Sequence, residues 1–327
     1  MNLSYWEQKE WLSNIDFAIV GSGIVGLCTA IFLKKRFPKS KVVVLEKGFL
    51  PQGASTKNAG FACFGSLSEL VDDLKSHSAD EVLDLLRDRV QGLQLLRQML
   101  GDNKIGYRAL GGYELFLKKD LEFFNTCIDK IKDINSMLDP IFMGKVFSLV
   151  PNKFHFQGVQ SQYIFHQFEG QIDTGKMMYT LLQKVHSLGV VILNAVSVES
   201  FQQNNNTVQV KTNQFEFKCS KMIIATNGFT NKLLKQDLKP ARAQVLITKP
   251  IKNLHIKGTF HLDCGYYYFR NIDERILIGG GRNLDFVGET TTTFETTPLI
   301  QNELESLLHS VILPHHEFEI DQRWSGI

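Results

Sequence analysis

The 327-residue sequence predicts an α/β protein, on three observations near its N-terminus. Ile15 to Val20 is a short β-branched and apolar run, the pattern of a strand buried on both faces. Gly21 to Gly26 follows as a glycine-punctuated turn and opens Ile24 to Phe37, a stretch apolar almost all round, as a helix covered on several sides must be. Pro38 stops that helix, and Lys41 to Glu46 (KVVVLE) is a second buried strand. Together they make one βαβ unit with the usual right-handed crossover.

The turn itself, Gly21-Ser22-Gly23-Ile24-Val25-Gly26, has the spacing G-x-G-x-x-G between a strand and a helix. Gly21 permits the tight turn, Gly23 lets a pyrophosphate approach the backbone, and Gly26 allows the helix to pack closely on the strand. The helix N-terminus offers free N–H groups and a partial positive charge to the phosphates. Glu46 ends the second strand 20 residues beyond Gly26. A carboxylate there accepts hydrogen bonds from ribose hydroxyls and repels a 2′-phosphate. Strand, turn, helix and acid in register predict a Rossmann-type dinucleotide site.

Downstream, Gly53 to Gly65 is a small-residue loop, and Leu67, Leu70, Val71 and Leu74 recur at helical spacing. Ser78 with Glu81 is a capping box that opens a long amphipathic helix closed by Gly101. A strand is expected from Tyr113 to Leu117, then helices from Leu121 to Leu138 and from Thr174 to Leu188, and a strand from Val190 to Leu193. Val196 to Cys219 alternates like a β-meander with a polar turn at Gln203 to Asn206. Lys221 to Thr226 returns to a buried parallel strand, and Ala243 to Gly279 is β again. A last helix covers Leu299 to Leu308, and a final strand starts at Phe318.

Hydrophobic residues at 43% and charged residues at 21% fit a globular protein of two joined domains. A net charge of +2 with no dominating block of Lys and Arg gives no reason to expect nucleic acid. Five scattered cysteines without C-x-x-C spacing read as reduced thiols of a cytoplasmic protein. Ile15 to Leu33 imitates a membrane segment, but acids precede it and Gly21 to Gly23 punctuate its centre, so no integral membrane segment is expected. His166, His261, His315 and His316 have no metal-ligand spacing and read as structural or exposed, and no metal site is expected. Cys63 reads as a small buried thiol.

The loop Gly53-Ala54-Ser55-Thr56-Lys57-Asn58-Ala59-Gly60 resembles that of the D-amino-acid oxidase superfamily of flavoproteins, in particular the S-x-x-N-A/G-G stretch of D-amino-acid dehydrogenases and γ-glutamylputrescine oxidoreductases. Ala225-Thr226-Asn227-Gly228, Gly170-Gln171-Ile172-Asp173 and Trp324-Ser325-Gly326 fit the same order, so the resemblance runs from about Ile15 to the last residue. It implies FAD as cofactor. Ser55, Thr56 and Asn58 are short donors for phosphate or ribityl oxygens, and Ala59 and Gly60 leave room for a flat ring. With Gly21 to Gly26, Glu46 and Lys47, these residues form the expected cofactor set. The resemblance adds Ala225, Asn227 and Gly228 near the phosphates, and Val196 against the adenine through its backbone.

The resemblance further implies a discontinuous arrangement, with FAD-binding segments at 1–80 and 167–236 and substrate-domain segments, built on a mixed or antiparallel sheet, at 81–166 and 237–316. Residues 317–327 would begin a C-terminal FAD-binding segment that in the family continues into a further strand and helix. The expectation is therefore an incomplete form that holds FAD weakly. Tyr268, Arg270 and Arg282 are the expected substrate-side residues, either guanidinium being able to grip a carboxylate bidentately. The implied reaction is oxidation of the C–N bond of an amine or amino acid by hydride transfer to flavin N5, with oxygen or a quinone as electron acceptor and an imine that hydrolyses. Three other readings share parts of the pattern. A nicotinamide-dependent dehydrogenase has no use for Ser55 to Gly60, a flavoprotein modifying a tRNA base needs a basic face, and a non-catalytic flavin-binding protein needs only the cofactor set.

Overall fold

The computed structural model describes residues 3–327. The βαβ unit consists of β1 (Ile15–Val20), α1 (Ile24–Arg36) and β2 (Val42–Leu45). Capping boxes, Ser66 with Glu69 and Ser78 with Glu81, open α2 (Leu67–Ser76) and α3 (Ala79–Leu100), and Gly101 at φ +87° ends α3. Next come β3 (Gly112–Leu115), α4 (Leu121–Phe142), β4 (Phe147–Pro151) and β5 (Gln162–His166). α4 runs through Pro140 in its last turn and ends four residues beyond the expected Leu138. α5 (Thr174–Ser187) is capped by Asp173, which accepts from the Lys176 N–H. β6 (Val191–Leu193), β7 (Val198–Asn204), β8 (Thr207–Thr212) and β9 (Glu216–Ile224) follow. The chain then forms β10 (Ala243–Thr248), β11 (Thr259–Leu262), β12 (Tyr267–Ile272), β13 (Arg275–Gly280), α6 (Pro298–Leu307) and β14 (Ile320–Gly326).

Two sheets carry the fold. The six-stranded one has the order β6-β2-β1-β9-β8-β7, and β6, β2, β1 and β9 are mutually parallel. Strand alternation sends Ile19, Val42 and Val44 to the side covered by α1 and α5, against Leu27, Ile31, Met177 and Leu181. Ala18, Val43 and Leu45 face the opposite core, with Val210 and Phe217. The expected meander strand and the expected parallel strand at Lys221 are one element. β9 pairs antiparallel with β8 through its first half and parallel with β1 through its second, with Cys219 facing a partner on each side.

The eight-stranded sheet has the order β14-β10-β13-β12-β11-β3-β5-β4. One face buries Tyr113, Phe260, Leu262, Tyr267, Phe269, Ile276 and Ile278 beneath α6 and the segment around Phe154 and Phe156. By alternation the other face carries Glu114, Thr259, His261, Tyr268, Arg270 and Leu277. A two-strand ribbon, Phe61–Ala62 against Gly170–Gln171, ties the Gly53 to Gly60 loop to the start of α5. The last strand hydrogen-bonds to β10 at the edge of this second sheet, with Val245 opposite Trp324. The apolar stretch Ile15 to Leu33 is split between β1 and α1, and no helix among the described residues is long and apolar enough to cross a membrane.

Candidate functional site

A cavity of about 1540 Å³ is lined by residues of both sheets and of the loop between them. This exceeds the roughly 300–1,000 Å³ of a pocket for one drug-sized ligand. At one end lie Gly21, Gly23, Ile24, Val25, Glu46, Lys47 and Val196; at another stand Phe61, Glu69, Arg89, His261 and Tyr268.

The glycine turn is built by close approach. Gly21 has φ +105°, and a Cβ there would lie 2.5 Å from the Ala225 carbonyl oxygen. A Cβ on Gly26 would lie 1.9 Å from the Gly21 oxygen, so Gly26 seats α1 on the turn and does not line the cavity. Ser22 is fully buried as well. Its N–H (3.0 Å) and Oγ (2.7 Å) both donate to one Glu46 carboxylate oxygen, and the Gly48 N–H donates to the other at 2.9 Å. Ser22 therefore orients Glu46, whose carboxylate remains in the cavity wall. The Ile24 N–H at the start of α1 donates to Ser55 Oγ at 2.9 Å, which joins the helix N-terminus to the following loop.

Within that loop the expected donors divide. Ser55, Asn58, Ala59 and Gly60 line the cavity and Thr56 does not, because its hydroxyl donates to the Pro51 carbonyl at 2.8 Å. The Asn58 amide is also spent on the loop: Nδ2 donates to Ala54 and Ser55 carbonyls, and Oδ1 accepts from the Gly60 N–H and Thr174 Oγ1. Gly60, at φ +72°, admits no side chain, since a Cβ would lie 2.2 Å from the Ile172 oxygen. Ala225 and Asn227 line the cavity, whereas Gly228 is buried against Ile327 and Pro240. Val196 lies in the connection between β6 and β7, and its N–H is taken by the Glu46 carbonyl at 2.9 Å.

On the sheet side the three expected residues separate. Tyr268 lines the cavity, packs edge-on to Phe61 at 5.5 Å between centroids, and lies over Gly279, where a side chain would strike it. Burial pushes its phenol up to about 12, so it stays protonated near neutrality. Arg270 does not reach the cavity. It is 2% exposed, and its Nη1 donates to the carbonyls of Gly60 (2.6 Å) and Ile172 (2.8 Å), clamping the loop to the α5 start. Arg282 also lies outside, in a short helical turn over Phe286.

His261, expected to be structural or exposed, stands buried in the cavity wall beside its cross-strand neighbour Tyr268. Its Nε2 lies 3.0 Å from a carboxylate oxygen of Glu169, which is fully buried and also accepts from Thr259 Oγ1. Burial opposes charge on both partners, but their attraction wins. The imidazole rises to about 9 and the carboxyl falls to about 2. Glu114, on the strand beyond His261, is pushed up by burial despite its bonds from Ser68. The alternation Thr259-Phe260-His261-Leu262 carried the signal for His261, since its apolar neighbours face the core. Glu169 had none, being 92 residues away in the chain.

The family model described as FAD dependent oxidoreductase (DAO) matches residues 16–327. The bifunctional protein ThiO/ThiG of Synechocystis is 24% identical over 257 residues, which cover 73% of this chain but only 34% of that protein, so the chain spans about a third of its length. Among solved structures, L-proline dehydrogenase from P. horikoshii superposes with a TM-score of 0.71 at 19% identity, covering 96% of this chain and 81% of that one. Glycine oxidase from Bacillus cereus gives 0.69 at 19% identity, covering 95% and 82%. At these identities the structural matches speak for the fold.

Proposed function

The chain belongs to the DAO family of FAD-dependent oxidoreductases, and from that premise we propose that it oxidises the C–N bond of a small amino acid or amine. The observation that carries the proposal is the continuity of one cavity from the Glu46 carboxylate to the compartment walled by Phe61, His261 and Tyr268. A dinucleotide held at the first end leaves its reactive end room to meet a small substrate at the second. The names of the similar solved structures, for proline and glycine, support a small amino acid as substrate class.

In this reading Glu46, fixed by Ser22 and Gly48, accepts from the ribose, while the turn at Gly21 and Gly23 and the start of α1 take the phosphates. Ala59 and Gly60 would lie along the ring portion, and Ser55, bonded to the Ile24 N–H at the start of α1, would sit at the phosphate end. Bound there, FAD supplies a two-electron acceptor for the hydride that leaves the carbon next to nitrogen. The protein's part is placement and electrostatics. Phe61 and Tyr268 narrow the compartment, and the protonated Tyr268 hydroxyl can donate to the substrate. The Glu169–His261 pair fixes a dipole in the wall of the compartment proposed for the substrate.

A panel of amino acids and matching decarboxylated amines, mixed anaerobically with the FAD-loaded protein, tests the reading. At least one member should bleach the flavin absorbance and yield the corresponding carbonyl compound after hydrolysis. A flavin that no member of the panel bleaches would overturn it.

A further inference from the structure

We propose that Glu169 and His261 form a redox-tuning couple: Glu169, sealed behind the strand face, keeps the imidazole cationic in the cavity wall, where it favours the reduced form of the flavin. The inference rests on the placement of the flavin ring along Ala59 and Gly60 proposed above, and on no particular substrate.

The couple has a closed side and an open side. Glu169 is fully buried and does not line the cavity, whereas His261 does. One Glu169 oxygen accepts from His261 Nε2 at 3.0 Å and from Thr259 Oγ1 at 3.2 Å, and the other accepts from the Phe64 N–H at 3.4 Å. Gly112 makes room for it, since a Cβ there would lie 1.9 Å from the first of these oxygens. A carboxylate cut off from water needs a cation beside it, and the imidazole is the group in contact. The other ring nitrogen, Nδ1, makes no hydrogen bond to a described residue. Phe61, which follows Gly60 in the chain, packs edge to face with the imidazole at 5.5 Å between centroids. A flat ring lying along Ala59 and Gly60 therefore has the imidazole as a near neighbour.

Two electrons and one proton turn the neutral flavin ring into an anion. A cation in a wall of low dielectric stabilises the anion more than the neutral ring, so it raises the flavin potential. The couple also ties that potential to pH. The titratable groups around the imidazole are Glu114 on β3, Tyr268 on β12, His166 on β5, Cys63 after the Phe61–Ala62 ribbon and Glu69 on α2. Burial pushes Glu114, Tyr268 and Cys63 up and His166 down, in each case towards the uncharged form. Glu69 adds to the attraction that Glu169 exerts on the imidazole. Arg89 lines the same cavity, and a guanidinium keeps its charge throughout, so it adds a constant offset. Against the opposing effect of burial, Glu169 brings His261 up to about 9. Below that pH reduction takes up one proton, on the flavin. Above it reduction takes up two, the second on His261.

The test measures the flavin midpoint of the FAD-loaded chain between pH 7 and 10, by stepwise reduction with dithionite beside a reference dye. No substrate is needed. In wild type the protons taken up per two electrons should step from one to two near pH 9. Glu169→Gln should move that step down by at least about one pH unit, because the imidazole loses its main partner. His261→Gln should abolish the step. At pH 7.5 it should also lower the ratio of reduced to oxidised flavin, at a fixed dye potential, by at least about tenfold, which is about 30 mV for a two-electron couple. A wild-type midpoint with one slope throughout overturns the couple, and so does a step that persists in His261→Gln. If a variant fails to hold FAD, the wild-type curve decides. The expected pattern in a protein whose flavin no amine or amino acid bleaches would leave the couple standing and the proposed reaction refuted.

Discussion

Replacing Glu169 with Gln removes a charge from the cavity wall but keeps an oxygen able to accept from His261 Nε2 and Thr259 Oγ1. The two partners report the same interaction from opposite sides. His261 rises from 6.5 to about 9, and Glu169 falls from 4.5 to about 2. At about 1.4 kcal/mol per tenfold change, each net displacement is on the order of 3 kcal/mol, with desolvation opposing it and the neighbouring charges included. Both side chains are buried, at 9% and 1% exposure, so solvent screens little of it. The sign follows from linkage. A raised folded-state value for His261 means a contribution present in full below pH 6.5 and lost as the pH climbs to about 9. A lowered value for Glu169 means a contribution present above pH 4.5 and lost on acidification towards 2. The pair is therefore at full strength between pH 4.5 and 6.5. Denaturant unfolding of the FAD-loaded protein should find Glu169→Gln less stable by about 3 kcal/mol at pH 5.5, with the gap closing towards pH 9. Glu69 and Glu114 also raise the imidazole, so the variant keeps a weaker upward displacement. Burial pushes neighbouring His166 down from the usual imidazole range, which disfavours a compensating charge there. Parallel pH curves for the two proteins, or a His261 that titrates near 6.5 in wild type by NMR, would refute the pairing.

Two further outcomes are expected. Glu46→Ala should weaken FAD by about 1.5–3 kcal/mol, the worth of a charged hydrogen bond, and Ser22→Ala should act in the same direction through loss of the 2.7 Å bond that orients the carboxylate; FAD release measured by fluorescence checks both. Arg270→Met should leave the buried Ile172 carbonyl without the guanidinium, costing about 1–3 kcal/mol of stability and loosening the loop at Gly60. Its effect on amino acids and on amines should then be equal, as scored by bleaching, whereas a loss confined to amino acids would return Arg270 to the substrate.

The cofactor end was legible because it is made of local features. A strand, a G-x-G-x-x-G turn, a helix and an acid lie within 32 residues of one another, Ile15 to Glu46, and each is dictated by sterics or hydrogen bonding over a few residues. The helices were legible for the same reason, through the helical spacing of Leu67, Leu70, Val71 and Leu74, the capping box at Ser78 and the glycine after Leu100. Roles inside the motif were harder. Thr56 and Asn58 look like ligand donors by residue type, yet their side chains hold the loop, and Ser22 serves Glu46.

The substrate end was decided by tertiary structure. Arg270 and Arg282 fall by sequence on one sheet, but a place in a sheet gives a face, and what covers that face comes from elsewhere in the chain. For Arg270 it is the loop at Gly60 and the start of α5, whose carbonyls lie 210 and 98 residues away and occupy its Nη1. His261 acquires its charge from Glu169, 92 residues distant, and Arg89 lines the cavity from α3, which packs against α2, α4 and α5. The sequence by itself determined the βαβ unit, its dinucleotide chemistry and the helix starts at Leu67, Ala79, Leu121 and Thr174. Which polar side chains share the compartment, and with what charge, was left to packing, because burial and Coulomb interaction depend on distance through space and not along the chain.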